Sequence, residues 1–298
     1  VGQLIHHTLI NKEKWDRLVA SDARASIFNY SYYLDALGND WYAYTNDALE
    51  YGIALPYKKQ LGVKTLITPL FCRYADFVGD RSTFNEATFI KSLQSEFPCA
   101  HFNLSWKITS LIASERVYQT IHEFKLKTLA KRKIKQINEL PIQIEINTNE
   151  NEALSSLIFE LLSDKISLYD HETNKTAFNQ LTKNLSTTKK LVTCCVYHEG
   201  KLVGGMFAMR DKSTIIYLKG ACTQKLKNEG LMYLMMQNLI DFSRKEQLNF
   251  DFGGSSDEKV RFFNTRFNGI DQSYYVYQWE NAPLWFALLK KIKTWMKK

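Results

Sequence analysis

Residues Ser213 to Ser256 read STIIYLKGACTQKLKNEGLMYLMMQNLIDFSRKEQLNFDFGGSS, and the fold turns on this stretch. Thr214 to Ala221 is rich in β-branched and aromatic residues and predicts a strand. A loop, CTQKLKNE, leads to a helix from about Gly230 to Lys245, whose Leu231, Leu234, Met235, Leu239 and Phe242 recur at helical spacing. Leu248 to Phe252 is a second strand, followed by Gly253-Gly254-Ser255-Ser256. A strand, loop, helix, strand unit predicts a parallel pair with strand ends beside a helix N-terminus. Backbone donors and the positive dipole end there suit an anionic or acyl-carrying ligand.

Upstream, Leu191 to Tyr197, Lys201 to Arg210 and Thr214 to Ala221 form a meander joined by turns at Glu199-Gly200 and Asp211-Lys212. Before it come a strand at Ile142 to Ile146, a helix from Asn149 or Glu150 through Leu162, and a helix over Lys175 to Leu185. A short helix near Lys259 to Phe267 and a strand at Ser273 to Trp279 come after. The first half runs in the same order. It has a strand at Gln3 to Ile10, a helix capped by Asn11, a helix at Ser31 to Leu37, and strands at Trp41 to Thr45, Leu49 to Tyr57 and Val63 to Phe71. Phe84 to Phe97 is then a helix, and His101 to Ser105 and Arg116 to His122 are strands. Two halves sharing so long an order imply a tandem duplication. The expected division is 1–124, a bridging amphipathic helix over 125–140, and 141–298, with the halves packed as one body.

With 298 residues, 45% hydrophobic and 23% charged, the chain is long enough for two cores and is not a disordered polymer. Its 18 Phe and 16 Tyr suit either filled interiors or stacking surfaces. The net charge of +8 favours anionic partners such as a CoA pyrophosphate, tRNA or an acidic membrane surface, although a basic solvated face would show the same balance. No run approaches the roughly 18 apolar residues of a membrane span. Val1 to Ile10 lacks the regions of a secretory signal, so a cytoplasmic location is expected. The five cysteines form no CxxC pair and no zinc-like spacing with the six histidines, which predicts buried free thiols. The His6-His7 pair lacks a following Asp at useful spacing and falls on an expected strand, so no catalytic dyad is expected there, and no metal site is expected in the chain. Walker, GxGxxG, GxSxG and HExxH patterns are missing from the sequence.

The element order, together with Phe250-Asp251-Phe252-Gly253-Gly254-Ser255 and Val260-Arg261-Phe262-Phe263-Asn264-Thr265-Arg266-Phe267, resembles the GNAT superfamily of N-acyltransferases in its tandem FemABX-like branch. The resemblance implies an α/β fold of mixed sheets, two tandem GNAT-like domains, and transfer of an acyl or aminoacyl group to an amine at the second. The family usually has Phe-Lys where Phe263-Asn264 stands here, so the resemblance puts Asn264 beside the reacting group without a charge to offer. GNAT enzymes also carry a glycine-rich loop before the helix that Gly230 opens. Gln224 to Gly230 has one glycine, and Lys225 and Lys227 would supply charge instead.

Acyl transfer to an amine needs a neutral amine, a held carbonyl and a donor to its oxyanion. The expected seat is a splay between Thr214 to Ala221 and Leu248 to Phe252. Backbone near Lys219-Gly220 would pair with the donor, and Gly253, Gly254 and Ser255 would allow close approach. Asp251 would orient the amine or act as base, or else cap the turn through Gly253. Tyr217 and Lys219 would share one strand face as pocket wall and polar tip. Lys165, Tyr169 and His171, between the two helices of the second half, are candidate acceptor contacts, as are Arg261, Phe263 and Arg266. Solvated lysines, surface ion pairs and an exposed histidine are the plainer readings of these groups.

The basic face of Lys125 to Lys135 would contact a polyanion or stay solvated. The amphipathic segment Leu284 to Lys298 would pack on the second domain or lie on a membrane. The reading adopted is an N-acyltransferase with no tightly bound cofactor. It would use acyl-CoA as co-substrate, act on an amino sugar, amino acid or cell-envelope precursor, and bind no DNA. Two alternatives stand beside it: aminoacyl-tRNA-dependent peptidyl transfer, and a catalytically silent binder of an anionic glycan or peptide.

Overall fold

The structure is a computed structural model that describes residues 2–147, 150–163, 172–254, 257–283 and 285–286. The expected helix over 284–298 therefore lies almost wholly outside the described residues. The chain divides into two compact units, one of Val1–Arg116 with Ser273–Lys298, the other of Val117–Gln272.

In the first unit, β1 (Gln3–His6) leads to α1 (Lys12–Ser21) and α2 (Ser31–Ala36), then to β2 (Asp40–Thr45), β3 (Tyr51–Gln60) and β4 (Val63–Ile67). A two-residue β5 (Val78–Gly79) pairs with β3, and α3 (Glu86–Glu96) precedes β6 (Cys99–Leu104). Asn11 caps α1 by accepting from the Lys14 N–H, and Asn85 does the same for α3 through Thr88. Both caps place a short polar side chain where the first helical N–H groups lack partners.

Next come β7 (Ser114–Ile121), α4 (Thr128–Ile137), β8 (Ile142–Ile146), α5 (Asn151–Ser163) and α6 (Glu172–Thr187). Strands β9 (Leu191–His198), β10 (Lys201–Arg210) and β11 (Thr214–Cys222) follow. They lead to α7 (Gln224–Glu229), α8 (Leu231–Lys245), β12 (Asn249–Gly254), α9 (Glu258–Asn264) and β13 (Ile270–Glu280).

The sheets of the two units share one pairing pattern. In the first, β1, β2, β3 and β4 pair antiparallel in sequence, β4 pairs parallel with β6, and β6 pairs antiparallel with β13. In the second, β8, β9, β10 and β11 form the meander, β11 pairs parallel with β12, and β12 pairs antiparallel with β7. The repeated order read from the sequence is thus a repeated topology, with one exchange. The last strand of each half completes the sheet of the other unit. The units consequently divide differently from the expected 1–124, 125–140 and 141–298. The helix expected over 125–140 is α4, Thr128–Ile137, and it belongs to the second unit, with Ala130, Ile134 and Ile137 in that unit's core.

That core also holds Val192, Met206, Ala208, Ile215, Leu231, Met235, Leu239, Phe250 and Phe252, so α4, α7 and α8 cover one face of the sheet. The opposite face meets α5 and α6, where the Phe178 ring lies 5.3 Å from that of Phe207 and 5.5 Å from that of Phe159. In the first unit the aromatic residues fill the interior. Tyr44, Tyr51, Phe77, Phe89, Phe97, Phe102 and Tyr277 are buried together, mostly tilted or edge-on as ring quadrupoles prefer.

Two local differences from the sequence reading matter later. The first strand stops at His6, and His7–Leu9 is a single 3-10 turn, because Thr8 and Ile10 bond locally to His6 and His7 instead of extending the ladder. The segment read as the loop CTQKLKNE contains the helix α7, closed when the Gly230 N–H reaches the carbonyls of Leu226 and Lys227.

Candidate functional site

The parallel ladder between β11 and β12 is short. It pairs Thr214 with Asn249, Ile215 with Phe250 and Ile216 with Asp251, and goes no further. Strand β11 nevertheless runs on to Cys222 and β12 to Gly254. Two irregularities fall where the ladder ends. On β11 the residue opposite Ala208 of β10 is Tyr217 and the residue opposite Phe207 is Lys219, so Leu218 is an extra residue that bulges the strand. On β12 the register against β7 shifts between Asp251 and Gly254.

At that shift Gly253 has φ +75°, and a Cβ there would lie 2.6 Å from the Tyr217 carbonyl oxygen. Only glycine fits this corner. Gly254 next to it faces open space. The buried Asp251 carboxylate accepts the Gly253 N–H at 2.8 Å and braces the turn. Capping through Gly253 is therefore present, and a role as base would be additional.

The bulge also decides which side chains face which helices. Tyr217 packs into the cluster beneath α4 and α8, whereas Lys219 aligns with Phe207 on the face of α5 and α6. The two do not share a face, because the extra residue at Leu218 reverses the alternation between them. Asp251 lies between Phe250 and Phe252, both in the α4/α8 cluster, so it belongs with Lys219 on the α5/α6 side. Burial pushes the Lys219 amine down to about 8. An amine held there is divided between its two protonation states at about pH 8.

The remaining expected site residues are distributed as follows. Gly220 sits against β10, where a Cβ would meet Met206 and the Gly205 carbonyl. Lys225 and Lys227 are exposed on α7. Gly230, with φ +111°, is closed off by α4, since a Cβ would come within 2.6 Å of the Lys133 carbonyl oxygen. Its neighbourhood is tied down further by the Lys133 amine donating to the Asn228 carbonyl at 2.7 Å and by a contact between Gln136 and Glu229. The helix junction thus packs on α4, and a glycine-rich cradle is not what occupies this position.

Asn264 is buried at the end of α9, with its carbonyl accepting the Gly269 N–H. Phe263 packs on Tyr233 and Phe267 as part of the core margin. Arg261 forms a forked ion pair with Asp271. The Arg266 guanidinium lies 3.7 Å from the Phe262 ring centroid, and its Nε is buried without a hydrogen-bond partner. Lys165, Tyr169, His171 and Ser255 lie outside the described residues.

Lys131, Arg132 and Lys135 are exposed on α4 around its buried stripe, and Lys125 and Lys127 are exposed just before it, as the sequence periodicity predicts. Among the described residues, no helix is long and apolar enough to cross a membrane. The five cysteines are free thiols, four of them buried.

A family model described as an acetyltransferase (GNAT) domain matches residues 125–262. No curated protein matches the chain by sequence. Among solved structures, FemX superposes with a TM-score of 0.65 at 12% identity over 96% of this chain and 99% of that one. The L-PGS of Bacillus licheniformis gives 0.55 at 11% identity over 93% and 94%. A tandem GNAT protein from the clavulanic acid biosynthesis pathway gives 0.54 at 7% identity over 95% and 99%. Residues 125–262 match the GNAT domain, and the chain has a mixed α/β fold like that of FemX and the tandem GNAT protein.

Proposed function

We propose that this protein is an N-acyltransferase that works at the opening between β11 and β12, moving an acyl group from acyl-CoA to an amine. The observation that carries the reading is the early end of the parallel ladder at Ile216 and Asp251. Beyond it the two strands are no longer paired with each other beside a glycine corner, which leaves main-chain groups with which a pantetheine-like arm can pair. The acceptor amine enters from the α5/α6 face. There Asp251 orients it, and Lys219, whose amine is lowered to about 8 by burial, exchanges its proton. As nitrogen attacks, the thioester C–S bond breaks and the thiolate takes up a proton. Negative charge gathers transiently on the carbonyl oxygen, which backbone N–H groups at the opening stabilise.

A second reading, aminoacyl transfer from tRNA, has its own support. Helix α7 stands where a pyrophosphate cradle would be, and Gly230 is shut against Lys133. Exposed lysines on α4 and α7 offer charge to a longer polyanion.

Thermal unfolding with acetyl-CoA, CoA and tRNA added separately distinguishes them. A ligand at a hundredfold excess over its Kd stabilises by about 2.7 kcal/mol. A shift with CoA and acetyl-CoA, and thiol release with an amine present, is the expected result. A shift with tRNA alone selects the second reading. No shift with any of the three overturns acyl transfer and leaves a binding protein for an anionic glycan or peptide.

A further inference from the structure

The N-terminal edge of the first unit carries a constellation that acyl transfer does not use. We propose that His6, His7 and Asp40 bind a divalent zinc ion. Each offers one ligand atom, and the three atoms lie within 4.8 Å of one another, the one such group among the described residues. His7 Nε2 and Asp40 Oδ1 are 3.3 Å apart. Ligand atoms at tetrahedral positions on zinc, with metal distances of about 2.0–2.1 Å, are separated by about 3.3 Å.

Adjacent histidines in a strand would point to opposite faces. Here β1 ends at His6 and the 3-10 turn begins at His7, which swings the second ring beside the first. Their centroids are 4.5 Å apart, tilted by 46°. Both rings are then held from behind. His7 stacks on the buried Trp41 at 5.5 Å, and His6 meets the edge of Tyr42 at 5.3 Å. Asp40 opens β2, the strand with which β1 pairs.

The outer shell fits as well. The Nδ1 atom of His7 is buried without a hydrogen-bond partner, and Asp35 Oδ1 lies 3.7 Å from it. Once Nε2 binds a metal, Nδ1 carries the proton and turns this contact into a carboxylate–histidine pair, the usual support for a zinc imidazole. Asp35 is itself fixed by Lys12 and by the indole N–H of Trp41. On His6, Nδ1 lies 2.8 Å from the Thr8 hydroxyl and 3.5 Å from the Thr8 N–H; when Nδ1 carries the proton and donates it to the hydroxyl, in place of accepting the longer N–H contact, Nε2 is left for the ion instead of its contact of 3.4 Å to Tyr57. Two imidazoles and one carboxylate suit zinc with a water at the fourth position. Lys64, whose charge is felt by His6, is paired with Glu96, and Lys12 is paired with Asp35. A bound ion would tie the edge strand β1 to β2.

The test uses the full chain, stripped with chelator and titrated with zinc chloride alone. Metal content by equilibrium dialysis is expected to reach one zinc per chain, with a raised Tm that chelator reverses. Asp40→Asn, at an exposed position that leaves the aromatic packing intact, is expected to abolish the uptake, and His6→Ala should do the same. Asp35→Asn is expected to weaken it about 10- to 100-fold. Cobalt(II) in place of zinc should give the intense visible bands of a tetrahedral site in the parent and not in Asp40→Asn. Absence of uptake by the parent, or equal uptake by the parent and both ligand variants, overturns the proposal.

Discussion

Gly253 and Tyr217 meet where the parallel pair parts: a Cβ on Gly253 would stand 2.6 Å from the Tyr217 carbonyl oxygen. With φ at +75° the residue is also in the left-handed region that side chains disfavour. Gly253→Ala is expected to lower unfolding stability by about 1–3 kcal/mol and to disturb the opening. Gly254→Ala, one residue on and facing open space, should change stability by less than about 1 kcal/mol. Urea unfolding of the two variants measures the contrast, and equal effects would refute the close-approach argument.

Asp251 braces the same corner through the Gly253 N–H. Asp251→Ala leaves that donor without its acceptor and is expected to destabilise by about 1–3 kcal/mol. Asp251→Asn keeps an acceptor oxygen and should lose less. If Asp251 also orients the amine, Asp251→Asn lowers kcat/KM for amine acylation while melting close to the parent. A fall in activity that tracks the fall in Tm across both variants would reduce Asp251 to a brace.

Lys219 has an amine held at about 8 by burial, against an ordinary value near 10.5. Between those values the unfolded chain keeps a proton that the folded chain has released. Its contribution to stability therefore rises with pH from about 8 towards 10.5. Below about 8 both states are protonated, and the folded chain bears the full penalty of a desolvated ammonium. Lys219→Met is expected to be at least as stable as the parent at pH 7 and to lose part of the rise between pH 8 and 10. Urea midpoints at pH 7, 8.5 and 10 show this, and identical pH slopes would place the titration elsewhere.

Gly230 belongs to helix packing, because Lys133 of α4 fills the space beside it. Gly230→Ala is expected to cost about 1–3 kcal/mol through the left-handed φ and the clash with backbone. Lys133→Ala, which removes one exposed bond to the Asn228 carbonyl, should cost less than about 1 kcal/mol. If Gly230→Ala kept full stability and abolished CoA binding, the glycine would belong to the donor site after all.

Much of this architecture was legible in the residues themselves. The stripes of α4 and α8, the asparagine caps of α1 and α3, and the duplicated order of strands and helices follow from periodicity and local hydrogen bonding, which neighbours in sequence decide. The early end of the β11/β12 pair could be anticipated from two strands flanking a helix and a glycine corner. Tertiary structure decided what depends on partners far along the chain. The exchange of β7 and β13 reflects which sheet edge accepts a strand, and either edge offers the same backbone groups. The bulge at Leu218 parts Tyr217 from Lys219, a change of face that one extra residue produces and no composition signals. The helical turn at α7 and the closure of Gly230 depend on Lys133, nearly a hundred positions earlier. His6, His7 and Asp40 converge only because a strand expected to run to Ile10 ends at His6 and its neighbour across the sheet begins with a carboxylate.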